Sequence, residues 1–237
     1  DITQATNSQS PVDLRDLRAN DAVQRNLEAQ LKELGYTYRR KREGLNIYSA
    51  DTISVGVAAE AILAIWRKLP SVARFQQSRL FGDYYNNIFS NINGPQLIIA
   101  TLIYRYCDQK RRQSESTYKY PYLPYARHFI AMIMGWLLLE EQNIPLDKLD
   151  HKTFAAVQNQ WLARQDDLFT QATAKLEEAL NAYFQANEKY LKANKGVTYK
   201  TEELMGISVR GAVSVHNNEG WVMLNPADLN GHSGVQV

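Results

Sequence analysis

Cysteine is almost missing from this chain. Cys107 is the single one in 237 residues, so no disulfide can close within it, and no Cys/His spacing resembles a metal site. Ile103 and Tyr104, four and three positions earlier, mark Cys107 as a packed small thiol rather than a nucleophile. Glycine (12) and proline (7) are few for this length, and helix formers are abundant, so composition favours helix. Long hydrophobic runs are absent too: Phe129 to Leu139 is about half of the ~20 residues a bilayer span requires. No membrane association is expected. The chain opens on Asp1, with neither a basic n-region nor a short apolar core behind it. That beginning reads as a piece of something longer, with the cytoplasm as the expected compartment.

The usual chemical signatures are lacking as well. His128, His151, His216 and His232 are scattered, away from any Ser or Cys nucleophile pattern. No Gly-rich phosphate loop occurs, and no credible strand carries the acidic residue and Glu-x-Lys of a restriction-type nuclease. Asp166-Asp167 and Glu177-Glu178 are adjacent pairs on a helix, so their members point about 100° apart and form a solvated face, not a clamp. The reading is therefore no metal, no cofactor and no catalytic set within these residues.

What is present is a globular composition, 45% hydrophobic and 22% charged. The net charge of +2 hides an asymmetry. Residues 51–139 carry ten Lys/Arg against five Asp/Glu, and residues 140–190 carry five against nine. Such a chain has a basic side.

Helical spacing dominates. Ser10-Pro11 opens a short helix ending near Asn20. Asp21 caps a second, in which Val23, Leu27, Leu31 and Leu34 recur before Gly35 closes it. YTYRRKREGLNIYSA is the clearest strand candidate, with Glu43-Gly44 as a turn. Asp51 or Thr52 caps an Ala-rich helix to about Lys68; short helices follow from Pro70 and within LFGDYYNNIF. Apolar helices are expected over Gln96–Arg112 and Tyr125–Gln142, and a long amphipathic one over Lys152–Ala193. Beyond Gly196 the pattern weakens. The expected fold is mainly α, a multi-helix, bundle-like domain with a small β element near residues 36–48. Residues 1–50 would form an opening loop, two short helices and the basic strand, continuous with a helical body over 51–237.

Two basic-aromatic patches stand out. If YTYRRKR is extended, Tyr36, Tyr38, Arg40 and Arg42 share one face, while Thr37, Arg39 and Lys41 share the other. The first face then offers rings and guanidiniums that stack on bases and grip phosphates. The competing reading packs the tyrosines inward and pairs Arg40 or Arg42 with Glu28 or Glu33; a protein partner is a third. Lys110, Arg111 and Arg112, near Arg105 and followed by Tyr118, Lys119, Tyr120 and Tyr122, form the second patch. A helix dipole alone also favours cations there. Two such patches on one surface would strengthen the nucleic-acid reading. Ahead of them, the amides and hydroxyls of TNSQ read as turn and cap residues that pin the opening loop. Asp13, Arg15, Asp16 and Arg18 read as an ion-pair lattice.

Three stretches in order, ATNSQSPVDLRDLRAND, LGYTYRRKREG and AAEAILAIWRKLPSVARFQQSRLFGDYYNNIF, resemble the abortive infection phage resistance (AIPR) family. The likeness covers roughly Thr6 to Phe89 and extends more weakly to Cys107. It implies a bacterial defence protein acting against phage. Longer members look as if they carry an upstream part, sometimes nuclease-like, before the TNSQ element, so any nuclease activity is expected there. Two expectations follow: a nucleic-acid-binding or target-sensing domain, or a helical module that holds a partner protein, the upstream domain or a second copy of itself.

Overall fold

The structure, a computed structural model, describes residues 14–41, 49–115, 123–140, 142–193, 215–217 and 220–222. Among them are eight α-helices and four three-residue strands, which makes the fold mainly α. Ser10-Pro11, the TNSQ element, Asp13, Arg42, the Glu43-Gly44 turn and the Tyr-rich stretch 118–122 lie outside the described residues.

The chain enters through α1 (Leu14–Arg18) and α2 (Ala22–Glu33). Gly35, at φ +82°, ends α2: its N–H donates to Lys32 O (3.1 Å) and the next N–H, of Tyr36, to Leu31 O (2.9 Å). That pairing takes up carbonyls that the helix end would otherwise leave open, and it needs a left-handed residue that glycine supplies without strain.

Strand β1 (Thr37–Arg39) follows, and it pairs in parallel with β2 (Thr52–Ser54), in register Thr37↔Thr52, Tyr38↔Ile53 and Arg39↔Ser54. The strand expected around Tyr38 is present, and its partner β2 lies beyond the expected stretch of residues 36–48. Parallel strands need a connection of about a dozen residues or more, which the stretch from Arg40 to Asp51 provides. The helix cap shifts accordingly. Thr52 is in the strand, and Ser54 caps α3 (Val55–Ile65), accepting from Val57 N–H at 3.4 Å.

Helix α3 is buried almost all round, through Val55, Ala58, Ala59, Ala61 and Ile62 to Ile65, as expected of a helix apolar on every side. It contacts β2, α4 (Pro70–Phe75), α5 (Tyr85–Phe89), α6 (Gly94–Glu115) and α7 (Leu123–Glu140). Its crossing with α7 is close because Gly135 has no side chain: a Cβ there would overlap Ile65 Cγ2. Asn93 and Gln96 cap α6 reciprocally, Gln96 N–H donating to Asn93 Oδ1 (2.9 Å) and Asn93 N–H to Gln96 Oε1 (3.2 Å). Gln96 Nε2 also donates to Leu146 O at 2.7 Å, tying α6 to the loop after α7.

Helix α8 (Phe154–Ala193) lies against α7 and α6. Phe154, Val157, Trp161, Leu168, Phe169, Ala172 and Leu176 form its buried stripe; Leu180, Phe184 and Leu191 fall where side chains are not described. Val215–Asn217 and Gly220–Val222 form a separate antiparallel pair, β3 and β4. Among the described residues no helix is long and apolar enough to cross a membrane.

Candidate functional site

Strand alternation builds one wall of the site. With Tyr38 and Ile53 turned into the core, 4% and 0% exposed, Arg39, Thr52 and Ser54 face the other way. All three line a cleft of about 650 Å³. The opposite wall is α6, where Arg105, Gln109, Arg112 and Gln113 share a face at helical spacing; Ser49, Ala50, Val57, Tyr104 and Asp108 complete the lining. Arg105 joins the walls, its guanidinium donating to Ala50 O (3.1 Å) and to Thr52 O. Both acceptors are backbone carbonyls, so these bonds hold the side chain between the two walls.

Three arginines thus meet one acid in the cleft lining, and that acid is heavily shared. Asp108 takes Arg111 Nε on Oδ1 and Arg112 Nε on Oδ2, each at 3.0 Å, and Arg127 Nη1 on Oδ1. Burial pushes its carboxyl pKa up, but the Arg111 hydrogen bond and the charges of Arg127, Arg111 and Arg112 outweigh burial and hold it below the usual value. One carboxylate is thus shared among three guanidiniums.

Behind the cleft, Tyr104 OH donates to Glu60 Oε2 at 2.6 Å, and His128 Nε2 lies 3.4 Å from the same oxygen. His128 is fully buried. Burial lowers its pKa more than the Glu60 contact raises it, so the imidazole is neutral and donates to the carboxylate. Burial raises the pKa of Glu60, yet its hydrogen bonds from His128 and Tyr104 and the nearby charge of Arg127 bring it below the ordinary value. Tyr104 is pushed far up, by burial first and the Glu60 charge second. Nothing in the sequence marks this trio, whose members lie on three helices.

The residues expected to touch nucleic acid separate into two sets. Arg39, from the first patch, and Arg112, from the second, line the cleft together. Lys41 is exposed. Tyr38 is corrected to a core residue: its hydroxyl donates to Gln24 Oε1 at 2.8 Å, and Gln24 in turn donates to Tyr85 OH at 3.2 Å. Arg40 pairs with Glu28 (3.1 Å) and donates to Ala19 O. Tyr36 is half-buried and its hydroxyl accepts from Gln158 Nε2 of α8 at 2.8 Å. The alternation along YTYRRKR is real, but the face that reaches solvent is that of Arg39, because the other is needed for the core.

Lys110 and Arg111 are likewise turned from the cleft. Lys110 Nζ lies 2.8 Å from Asp166 Oδ1 and over the Tyr106 ring, while Tyr106 stacks edge-on with Trp161 and Phe169 and donates to Asp166. That cluster fastens α6 to α8, so Asp166 is a docking residue rather than plain solvated surface. Arg111, 22% exposed, is spent on Asp108. Arg18 lies over the Tyr85 ring and Arg15 over Phe81, alongside the 3.4 Å Arg18–Asp21 pair. Cys107 is buried, its thiol 3.5 Å from Met134 Sδ and pushed far up in pKa by that burial. Among the described residues no group of His, Cys, Asp and Glu is placed to hold a metal ion.

A family model described as AIPR protein matches residues 1–202, and the chain belongs to that family. No curated protein and no solved structure matches it.

Proposed function

We propose that this AIPR-family chain, whose family is associated with abortive infection and phage defence, binds nucleic acid through the cleft between β1–β2 and α6 and serves as a target-sensing part of a defence protein. One observation carries this reading: two basic segments far apart in sequence supply Arg39, Arg105 and Arg112 to a single concave surface. Cations gathered this way release counterions from a phosphate backbone, which drives binding with little regard to sequence.

The test is binding to labelled DNA and RNA across a salt series. Affinity should fall steeply with salt, and Arg39→Ser with Arg112→Ser should weaken binding and flatten the slope by roughly one unit per lost phosphate contact. Arg40→Ser, outside the cleft, should bind as the parent does. A parent that ignores both nucleic acids at low salt hands the case to a protein-interaction role. So does a folded cleft variant that binds undiminished.

A further inference from the structure

The shape of the cleft says more than its charge. Proteins that read duplex DNA push a protruding helix or ribbon into a major groove about 12 Å wide. Here the polar groups line a hollow instead, of about 650 Å³, within the roughly 300–1,000 Å³ of pockets that enclose small ligands. Its α6 wall alternates cation and amide along one face: Arg105, then Gln109 one turn on, then Arg112 and Gln113. Arg105 and Arg112 stand roughly 10 Å apart along the axis at about 1.5 Å per residue, with Gln109 between them. Gln109, Arg112 and Gln113 are all exposed. Guanidiniums engage phosphates and stack on base planes, while carboxamides donate and accept at once, as a base edge requires. Opposite them stand Ser49 and Thr52, whose hydroxyls bond to each other, and Ser54, with Ala50 and Val57 adding apolar surface.

From this we infer that the cleft holds an unpaired nucleotide unit, phosphate on the arginines and base edge on Gln109 and Gln113, and does not bind duplex. The inference rests on the nucleic-acid reading above and names its ligand. A paired base has its edge occupied and cannot enter the hollow, whereas a splayed base of a single strand or a free nucleotide can.

The experiment measures binding of the whole chain to labelled DNA and RNA strands of about a dozen nucleotides, a length within the site sizes of single-strand binders, and to the same strands annealed to their complements. Adenosine monophosphate and inorganic phosphate serve as competitors. Single strands should bind about tenfold tighter than duplex, and Gln109→Ala with Gln113→Ala should remove that preference while the variant melts as the parent does. Displacement by the mononucleotide identifies a free nucleotide as sufficient ligand; displacement by unlabelled strand alone identifies the polymer. Either outcome supports the unit proposed. Duplex binding as tight as single strand, with Arg112→Ser weakening both, overturns the inference and leaves the nucleic-acid reading standing. Competition by inorganic phosphate equal to that by the mononucleotide overturns it too, reducing the cleft to an anion site. Failure of every probe overturns both.

Discussion

Arg112 Nε lies 3.0 Å from Asp108 Oδ2, one turn back along α6, so an exposed cation of the cleft is held by the one acid among its described lining residues. The same carboxylate restrains Arg111 and Arg127. Two opposing consequences follow from one residue.

Asp108→Asn should lower stability while raising affinity for nucleic acid. Hydrogen bonds to charged groups contribute about 1.5–3 kcal/mol, and the amide keeps only part of that. The folded pKa of Asp108 is depressed, so its contribution is fully present above the unfolded value, near 3.8, and is lost as pH falls through the folded value. Denaturant melts of parent and variant should therefore differ at neutral pH and begin to converge as pH falls below about 3.8. A gap that persists undiminished in acid would contradict the assignment. Removing the acid also releases Arg112 from its 3.0 Å ion pair within the cleft, so salt-dependent binding should tighten.

Arg40 and Glu28 should couple in stability and not in binding. The pair is 3.1 Å apart, Arg40 part-buried and Glu28 more exposed, and exposed pairs contribute roughly 0.2–1 kcal/mol. A double-mutant cycle with Arg40→Ala and Glu28→Ala should give a coupling in that range. Loss of nucleic-acid affinity in Arg40→Ala at unchanged stability would place Arg40 back in the interface.

His128 should make folding sensitive to mild acid. It faces Glu60 from α3 and Tyr104 from α6, with Arg127 beside it on α7 and Arg74 nearby on α4. Its folded pKa is lowered, so the unfolded chain takes up the proton first. Stability is full above about 6.5 and declines as pH falls below it, by at most about 1.4 kcal/mol per pH unit for one proton. His128→Phe should lose that segment of the pH profile. An unchanged slope in the variant between pH 7 and 5 would show that another group is responsible.

Gly135→Ala should destabilise by roughly 1–3 kcal/mol, because the added methyl overlaps Ile65 Cγ2 in a packed crossing. Combining it with Ile65→Ala should recover part of the loss, giving a favourable coupling between the two sites. Strictly additive melting temperatures would mean that the helices simply move apart.

Much of the molecule was legible in the residues alone. Apolar spacing located the helices α2, α3, α6, α7 and α8 to within a few residues, Gly35 its left-handed stop, and three ordered stretches the family, because each of those signals is local. A helix bond spans four residues, and a strand's parity needs only its neighbours. The period-2 pattern around Tyr38 was correct in the same way. What it left open was direction: whether Tyr38 or Arg39 looks inward depends on Ile53 and α3 behind the strand. The partner strand, the Lys110–Asp166 and Tyr104–Glu60–His128 contacts, and the meeting of Arg39 with Arg105 and Arg112 all join residues from separate elements. Packing of the apolar faces fixed these, because burial fixes which side of each element remains for solvent and ligand.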